Sequence, residues 1–277
     1  MNHLLVGSLS VEEITVPVRD LPRHLDGLKM VQLSDFHFDG VRLSPQLLEE
    51  AIALTNAAHP DLIVLTGDYV TDTPSPIHEL TKYLSTLQSR LGTYAVLGNH
   101  DLYQPLSRST ITRALTGVGI RVLWDEVVYP CGEDLALVGL RDYWSPQFNP
   151  HPVMAQISSQ TPRIVLSHNP DSANTLQNHR VDLQLSGHTH GGQIILPGYG
   201  PMVRGLRTIR KNSHKSVQHW LKPLTKNCDK IVQYWDWAQG LHRVGNNLLY
   251  VNRGLGTHHP GRLFCPPEVT ILQLKAW

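Results

Sequence analysis

Leu28-Lys29-Met30-Val31-Gln32-Leu33 runs straight into Ser34-Asp35-Phe36-His37, and the same arrangement recurs four more times. Leu62 to Thr66 leads to Gly67-Asp68, and Tyr94 to Leu97 leads to Gly98-Asn99-His100-Asp101. Ile164 to Leu166 leads to Ser167-His168-Asn169, and Val181 to Leu185 leads to Ser186-Gly187-His188-Thr189-His190. Each run is short, largely apolar and closed by loop-forming residues, which is how a strand buried on both faces reads. Leu135 to Leu140 adds another. Between the first two runs, Ser44 supplies a cap, Pro45 takes the first helical position, and Leu47, Ala51 and Leu54 fall on one face, predicting a helix. Ile77, Leu80, Leu84 and Leu87 predict a second helix, and Ile111, Leu115 and Val118 a third.

In the back half, Gln193 to Leu196, Leu248 to Val251 and Val269 to Leu274 read as closely spaced strands with few helix signals between them. The expected fold is therefore α/β: two mixed β-sheets packed as a sandwich and flanked by α-helices. With 277 residues, 41% hydrophobic and 17% charged, the chain has the make-up of a soluble globular protein rather than a disordered chain or a membrane bundle. One domain over 1–277 is expected. The stretch 204–230 breaks the rhythm, with eight Lys/Arg against Asp229 alone. Val217, Trp220, Leu221 and Leu224 within it share one helical face, so it reads as a basic amphipathic insertion.

The net charge of +1 gives no global attraction to nucleic acid or anionic lipid. Cys131, Cys228 and Cys265 lack CxxC spacing, which argues against a disulfide framework or a thiolate zinc site and fits a reducing compartment. Leu4-Leu5-Val6 falls far short of a signal-peptide core or a membrane span. The expectation is a cytoplasmic chain starting near residue 1. Its basic insertion leaves open a peripheral place on the inner face of an anionic membrane, against the alternative of an apolar face that packs on the domain.

Chemistry concentrates at the strand ends, where α/β folds place their sites. Carboxylate, amide and imidazole are oxygen and nitrogen ligands without thiolate, which suits Mn²⁺, Fe, Zn²⁺ or Co²⁺. The i, i+2 spacing of Asp35 and His37 lets both side chains point one way in an extended segment. Gly67, Gly98 and Gly187 directly precede ligand positions, consistent with tight turns or close backbone approach.

The order DxH, GD, GNHD, a His after a strand, and GHxH over residues 31–192 resembles the calcineurin-like metallophosphoesterases. Further along, His188-Thr189-His190-Gly191-Gly192-Gln193, Asn252-Arg253-Gly254-Leu255-Gly256 and Pro267-Glu268-Val269 are similar to the YaeI- and YkuE-like bacterial phosphodiesterase branch. The resemblance implies two divalent cations, Mn²⁺ foremost, on two ligand sets. Asp35, His37, Asp68 and His190 would hold one, and Asp68, Asn99, His168 and His188 the other. Cations ~3.5–4 Å apart can clamp a phosphoryl group and hold the hydroxide that attacks a phosphodiester or pyrophosphate bond. His100 takes the role of general acid, with Asp101 orienting it.

The remaining histidines read as solvated or structural, with His258-His259 weighed as a pocket wall against a polar surface loop. Arg253 and Arg262 are low-ranked substrate contacts, because guanidinium matches phosphate oxygens in pairs. Asp142 is weighed as a supporting group against a simple strand terminus. The expected substrate is a phosphorylated small molecule or a lipid-linked nucleotide, UDP-2,3-diacylglucosamine among them. Nucleic acid is not expected, since no aromatic and basic platform stands out beyond the insertion. A metal-holding protein-binding module without turnover is the competing class, and the complete ligand set with His100 favours an enzyme. The apolar pattern is silent on oligomeric state.

Overall fold

A computed structural model of the chain describes residues 6–212 and 231–277. In β2 (Lys29–Leu33), which follows β1 (Ser10–Val18), successive side chains serve two different cores: Met30 faces one, and Val31 and Leu33 face the other. The next strand, β3 (Leu62–Leu65), divides in the same way, with Leu62 and Val64 on one side and Ile63 and Leu65 on the other. This period-2 division makes both strands read as continuous apolar runs. The chain continues through β4 (Thr93–Ala95), β5 (Ile120–Val122), β6 (Glu126–Val128), β7 (Ala136–Gly139), β8 (Arg163–Leu166) and β9 (Leu183–Ser186). A small hairpin, β10 (Ile195–Leu196) and β11 (Gly200–Pro201), precedes β12 (Gly240–Val244), β13 (Asn247–Val251) and β14 (Glu268–Ala276).

One six-stranded sheet has the order β1-β14-β2-β3-β4-β5, parallel except where β14 meets β2. The other has the order β12-β13-β9-β8-β7-β6, with β12 and β6 antiparallel at its edges. Met30, Val64 and Val96 from the first sheet's side meet Leu137, Leu166 and Leu185 of the second in the shared central core. Helices α1 (Pro45–Ala57), α2 (Ile77–Leu84) and α3 (Ser107–Gly117) cover the outer face of the first sheet through Leu48, Ala51, Leu80, Leu84, Ile111 and Leu115. Short helices α4 (His151–Met154) and α5 (Ser172–Leu176) cover the second through Met154 and Leu176. The mixed two-sheet sandwich flanked by helices is thus the architecture expected from the runs.

The N-terminus of α1 forms as predicted: the Ser44 Oγ accepts the Leu47 N–H at 3.2 Å, with Pro45 at the first helical position. Strand β1 was not predicted. It pairs in parallel with β14 along its whole length, but at the sheet edge its side chains are largely solvent-facing, and Glu12 and Glu13 hide the alternation. Of the basic stretch, only its start is described, within α6 (Met202–Asn212). The predicted apolar face at 217–224 lies outside the described residues. Among the described residues no helix is long and apolar enough to cross a membrane.

Strands β2 to β5 point one way in the first sheet, and β7, β8, β9 and β13 point one way in the second, so the C-terminal ends of these strands form one rim. Asp35 follows β2, Asp68 follows β3, His168 follows β8 and His188 follows β9. Asn99 sits four residues past β4, and the loop after β13 carries residues 252–258 to the same rim.

Candidate metal centre

Asp35, His37, Asp68, His188 and His190 all adopt positive φ, between 43° and 72°. These are five of the seven expected metal residues, in a conformation that non-glycine residues adopt only when surrounding structure imposes it. The surroundings that impose it are close-packed. A Cβ on Gly187 would stand 2.0 Å from Ser34 Oγ and 2.1 Å from Asp35 Oδ2, and one on Gly98 would stand 2.1 Å from Asp68 Oδ1. These two glycines let the strand-end backbones approach the carboxylates.

The second expected group converges around one oxygen of Asp68. His168 Nδ1 meets Thr66 O at 2.7 Å, and since a carbonyl only accepts, the hydrogen sits on Nδ1 and the lone pair on Nε2. That Nε2 lies 3.0 Å from Asp68 Oδ2 and 3.2 Å from His188 Nδ1. His188 Nε2 donates to Ile231 O at 2.9 Å, so its Nδ1 also carries a lone pair. Asn99 donates Nδ2 to Tyr103 OH at 3.2 Å, leaving Oδ1 buried with no hydrogen-bond partner among the described residues.

The first group repeats this pattern. His190 Nδ1 donates to Gly256 O at 3.1 Å, and its Nε2 lies 3.2 Å from His37 Nε2 and 3.5 Å from Asp35 Oδ1. His37 Nε2 is 3.5 Å from Asp68 Oδ2, which links the two groups. Asp35 is anchored by Ser34 Oγ at 2.6 Å and by the His188 N–H, which donates to both carboxylate oxygens at 2.9 and 3.0 Å.

Lone pairs of imidazole and carboxylate brought this close repel unless a cation lies among them, so the residues present fit a divalent metal on either side of Asp68. The electrostatics agree. Burial opposes charge on His168, yet the adjacent Asp68 prevails and lifts its pKa to about 10, so a proton takes the place of the cation. Burial and the His168 charge hold His188 down to about 3. Burial also keeps His37 and His190 well below the ordinary histidine range, as metal ligands require. Asp35 is pushed up to about 6 by the same burial.

His100 borders the cleft. Its backbone N–H donates to Asp68 Oδ1 at 2.9 Å, its Nδ1 donates to Thr71 O at 2.7 Å, and its Nε2 is 3.4 Å from Tyr103 OH. Asp101 does not orient this ring. Its carboxylate accepts the backbone N–H groups of Asp68, Tyr69 and Gly98, each at 2.9 Å, and so shapes the loop that carries Asp68. Burial and the Asp68 charge push it up to about 8.

Arg253 and Arg262 are likewise not free for phosphate. Arg253 is paired with Glu12 at 2.6 Å and Glu268 at 3.0 Å. Arg262 is buried and donates to the carbonyls of His190, Arg253, Gly254, Gly256 and Cys265 and to Thr257 Oγ1. Its five donors are consumed in holding the loop after β13, whereas sequence alone sees two arginines near a site. Asp142 supports the second group's surroundings: its Oδ2 accepts the Trp144 N–H at 2.9 Å, its Oδ1 is buried without a partner among the described residues, and the Trp144 ring packs edge-on against His188 at 4.8 Å.

The site opens to a cleft of about 420 Å³ whose lining includes Tyr103, Trp144 and Trp235. His258 lines it too, its ring 4.4 Å from His37 and 4.7 Å from His190. Of the two readings of His258 from sequence, pocket wall and polar surface loop, this is the first. The signal that could have found it is the rule that found the others, since β13 runs parallel to β9 and delivers its following loop to the same rim.

A family model described as calcineurin-like phosphoesterase matches residues 28–192, the segment that contains Asp35 through His190. The chain is 34% identical over 253 residues to the phosphodiesterase YaeI of Escherichia coli, covering 89% of this chain and 82% of that one. It is 29% identical to the uncharacterized metallophosphoesterase YkuE of Bacillus subtilis, covering 97% and 86%. It is 27% identical to the UDP-2,3-diacylglucosamine pyrophosphatase LpxG of Chlamydia muridarum, covering 98% and 91%.

Proposed function

The chain belongs to the calcineurin-like phosphoesterase family, and from that premise we propose that it hydrolyses a phosphodiester or pyrophosphate bond at a dinuclear divalent-metal centre. Asp35, His37, Asp68 and His190 would hold one cation, and Asp68, Asn99, His168 and His188 the other. The observation that carries this reading is the placement of Asp68 Oδ2, 3.0 Å from His168 Nε2 on one side and 3.5 Å from His37 Nε2 on the other. Cations so held lower the pKa of a bound water and neutralise phosphoryl charge. Nitrogen and oxygen ligands suit Mn²⁺, Fe, Zn²⁺ or Co²⁺, and the family resemblance puts Mn²⁺ first among them.

The protein's own groups then act on the leaving side. As a water oxygen bonds to phosphorus and the P–O bond to the leaving group breaks, His100 would pass a proton from Nε2 to the leaving oxygen. The neutral product is the Nδ1–H tautomer, already favoured by Thr71 O at 2.7 Å. Tyr103 OH, 3.4 Å from Nε2, keeps that nitrogen turned to the cleft.

The substrate is read as a phosphorylated small molecule, in its specific version a lipid-linked nucleotide. Two features support that version: the LpxG likeness over nearly the whole chain, and the apolar Val203, Ile231 and Trp235 in the lining of the cleft. Peripheral membrane contact, with a cytoplasmic location, rests on the basic stretch 204–230, most of which lies outside the described residues.

The test uses protein stripped with chelator and reloaded with Mn²⁺, assayed on bis-p-nitrophenyl phosphate and p-nitrophenyl phosphate alongside Asp68→Ala. Metal-restored diesterase activity that disappears in Asp68→Ala supports the proposal. Metal binding with turnover of neither ester, nor of a nucleotide-sugar pyrophosphate, would move the reading to a binding module.

A further inference from the structure

His258 lies outside the segment 28–192 and outside both expected ligand sets, yet it is fixed in the cleft from three sides. Its backbone N–H donates to Gln193 Oε1 at 2.6 Å, and the neighbouring Thr257 N–H donates to Arg42 O at 2.9 Å. The ring itself is held by Arg42, whose Nε lies 3.2 Å from His258 Nδ1.

This last contact fixes the chemistry of the ring. A guanidinium N–H can only donate, so Nδ1 must present its lone pair, and a neutral imidazole then carries its hydrogen on Nε2. Among the described residues Nε2 has no hydrogen-bond partner. Arg42 is fixed in turn by Asp39, which pairs with its Nη1 and accepts Thr71 Oγ1 at 3.0 Å. The carbonyl of that same Thr71 accepts His100 Nδ1. One chain of contacts, Thr71–Asp39–Arg42, therefore orients two imidazoles at the cleft from behind, 6.2 Å apart between ring centres.

His258 is close enough to His37 and His190 to be grouped with them as a metal ligand, all three ligand atoms lying within 4.8 Å of one another. The tautomer argues otherwise, since a nitrogen bearing hydrogen has no lone pair for a cation but can donate to an anionic oxygen. We propose that His258 is a catalytic residue that donates its Nε2–H to a non-bridging oxygen of the substrate phosphoryl group, and that Arg42 is the positioning residue that fixes this tautomer. The proposal rests on the phosphoesterase reading of the site.

The experiment compares wild type, His258→Ala, His258→Gln and Arg42→Gln. It measures Mn²⁺ binding, binding of inorganic phosphate to the Mn²⁺-loaded protein by calorimetry, and kcat/KM on bis-p-nitrophenyl phosphate. His258→Ala should keep wild-type Mn²⁺ stoichiometry and affinity while phosphate affinity and kcat/KM each fall roughly 10- to 100-fold, as for loss of a hydrogen bond to a charged group. His258→Gln, which keeps an N–H donor, should recover part of the loss. In nitrogen-15 spectra of Zn²⁺-loaded protein, His258 should appear as the Nε2–H tautomer in wild type and as a mixture in Arg42→Gln.

Mn²⁺ affinity falling as far as phosphate affinity in His258→Ala would make the residue a ligand and overturn the proposal. So would unchanged phosphate affinity, or a wild type that binds no phosphate with Mn²⁺ present. An unchanged tautomer in Arg42→Gln would overturn the positioning role. Failure of the hydrolase reading is seen separately, as a wild type that binds phosphate but turns over no ester, because the phosphate arm does not depend on turnover.

Discussion

His168 Nε2 lies 3.0 Å from Asp68 Oδ2, with both side chains buried. Because Nδ1 is committed to Thr66 O, only a proton or a metal ion can make that contact favourable. In metal-free protein it is a proton: burial opposes the charge, Asp68 prevails, and the pKa rises from 6.5 to about 10. The folded state then binds this proton more tightly than the unfolded chain does. The resulting stability is complete below about pH 6.5 and is lost as pH rises through about 10, with a limiting slope of about 1.4 kcal/mol per pH unit for one proton. Chelated protein should therefore show a falling Tm between pH 7 and 10, to which Asp101, pushed up to about 8, adds at the lower end, and the fall above pH 8 should disappear in His168→Asn and at saturating Mn²⁺. A flat chelated profile would contradict the assignment.

Asp101 holds the Asp68 loop rather than the His100 ring. Asp101→Asn puts an amide NH₂ in place of one of the two oxygens that accept backbone N–H groups, so a loss of about 2–4 kcal/mol in stability is expected from broken buried hydrogen bonds. Mn²⁺ affinity should fall by about tenfold or more, because second-sphere contacts fix ligand geometry. The pH dependence of kcat should keep its shape. A shifted pH profile with intact metal affinity would return Asp101 to the orienting role that sequence suggested.

A proton donor matters in proportion to the basicity of the group it protonates. Removal of His100 should therefore cost little with p-nitrophenolate, which leaves readily, and about 10²- to 10⁴-fold with an alkoxide leaving group. His100→Ala assayed on bis-p-nitrophenyl phosphate and on an alkyl phosphodiester, at saturating Mn²⁺, measures this difference. Equal losses on both substrates would point to a role in holding the loop around Thr71, through Nδ1 and Thr71 O at 2.7 Å, rather than to acid catalysis.

Gly187 has no room for a side chain, since its Cβ would fall 2.0 Å from Ser34 Oγ and 2.1 Å from Asp35 Oδ2. Gly187→Ala must push Asp35 or the 187–190 loop aside by about an ångström. The expected result is loss of Mn²⁺ at the Asp35 side, so about one equivalent bound in place of two, with the far-UV circular dichroism of the wild type. Two equivalents at wild-type affinity would mean that the loop relaxes without moving the carboxylate.

The core of this site could be read from sequence because strands buried on both faces become apolar runs, as at β2 and β3, and the ligand-bearing loops begin where those runs stop. Edge strand β1 could not be read this way, since its side chains are mostly solvated and Glu12 and Glu13 interrupt the pattern. Roles that depend on tertiary hydrogen bonds were equally hidden. Asp101 looks like a partner for its neighbour His100 until the backbone amides of Asp68, Tyr69 and Gly98 are seen around it. His258 acquires its role from Arg42, 216 positions away along the chain.

Arg262 provides the clearest separation of structural from substrate-binding chemistry. Its guanidinium is buried and donates to five backbone carbonyls, His190 O among them, and to Thr257 Oγ1, a fork that bridges the loop after β13 to the turn before β14. Lysine has three donors on a flexible stem and cannot reproduce five in one plane, so Arg262→Lys loses at least two of these hydrogen bonds from a charged donor. At ~1–3 kcal/mol per lost hydrogen bond, a destabilisation of about 2–5 kcal/mol is expected. If Arg262 is structural, Arg262→Lys should melt well below wild type, while the fraction that remains folded keeps the KM for bis-p-nitrophenyl phosphate. If it met the phosphate instead, KM would rise with little change in Tm. The carbonyl of Gly256, which accepts both Arg262 Nη2 at 2.6 Å and His190 Nδ1 at 3.1 Å, makes a third readout available. Loosening that carbonyl should weaken Mn²⁺ binding through His190, and a variant with lowered Tm but unaltered metal affinity would place the damage in the loop alone.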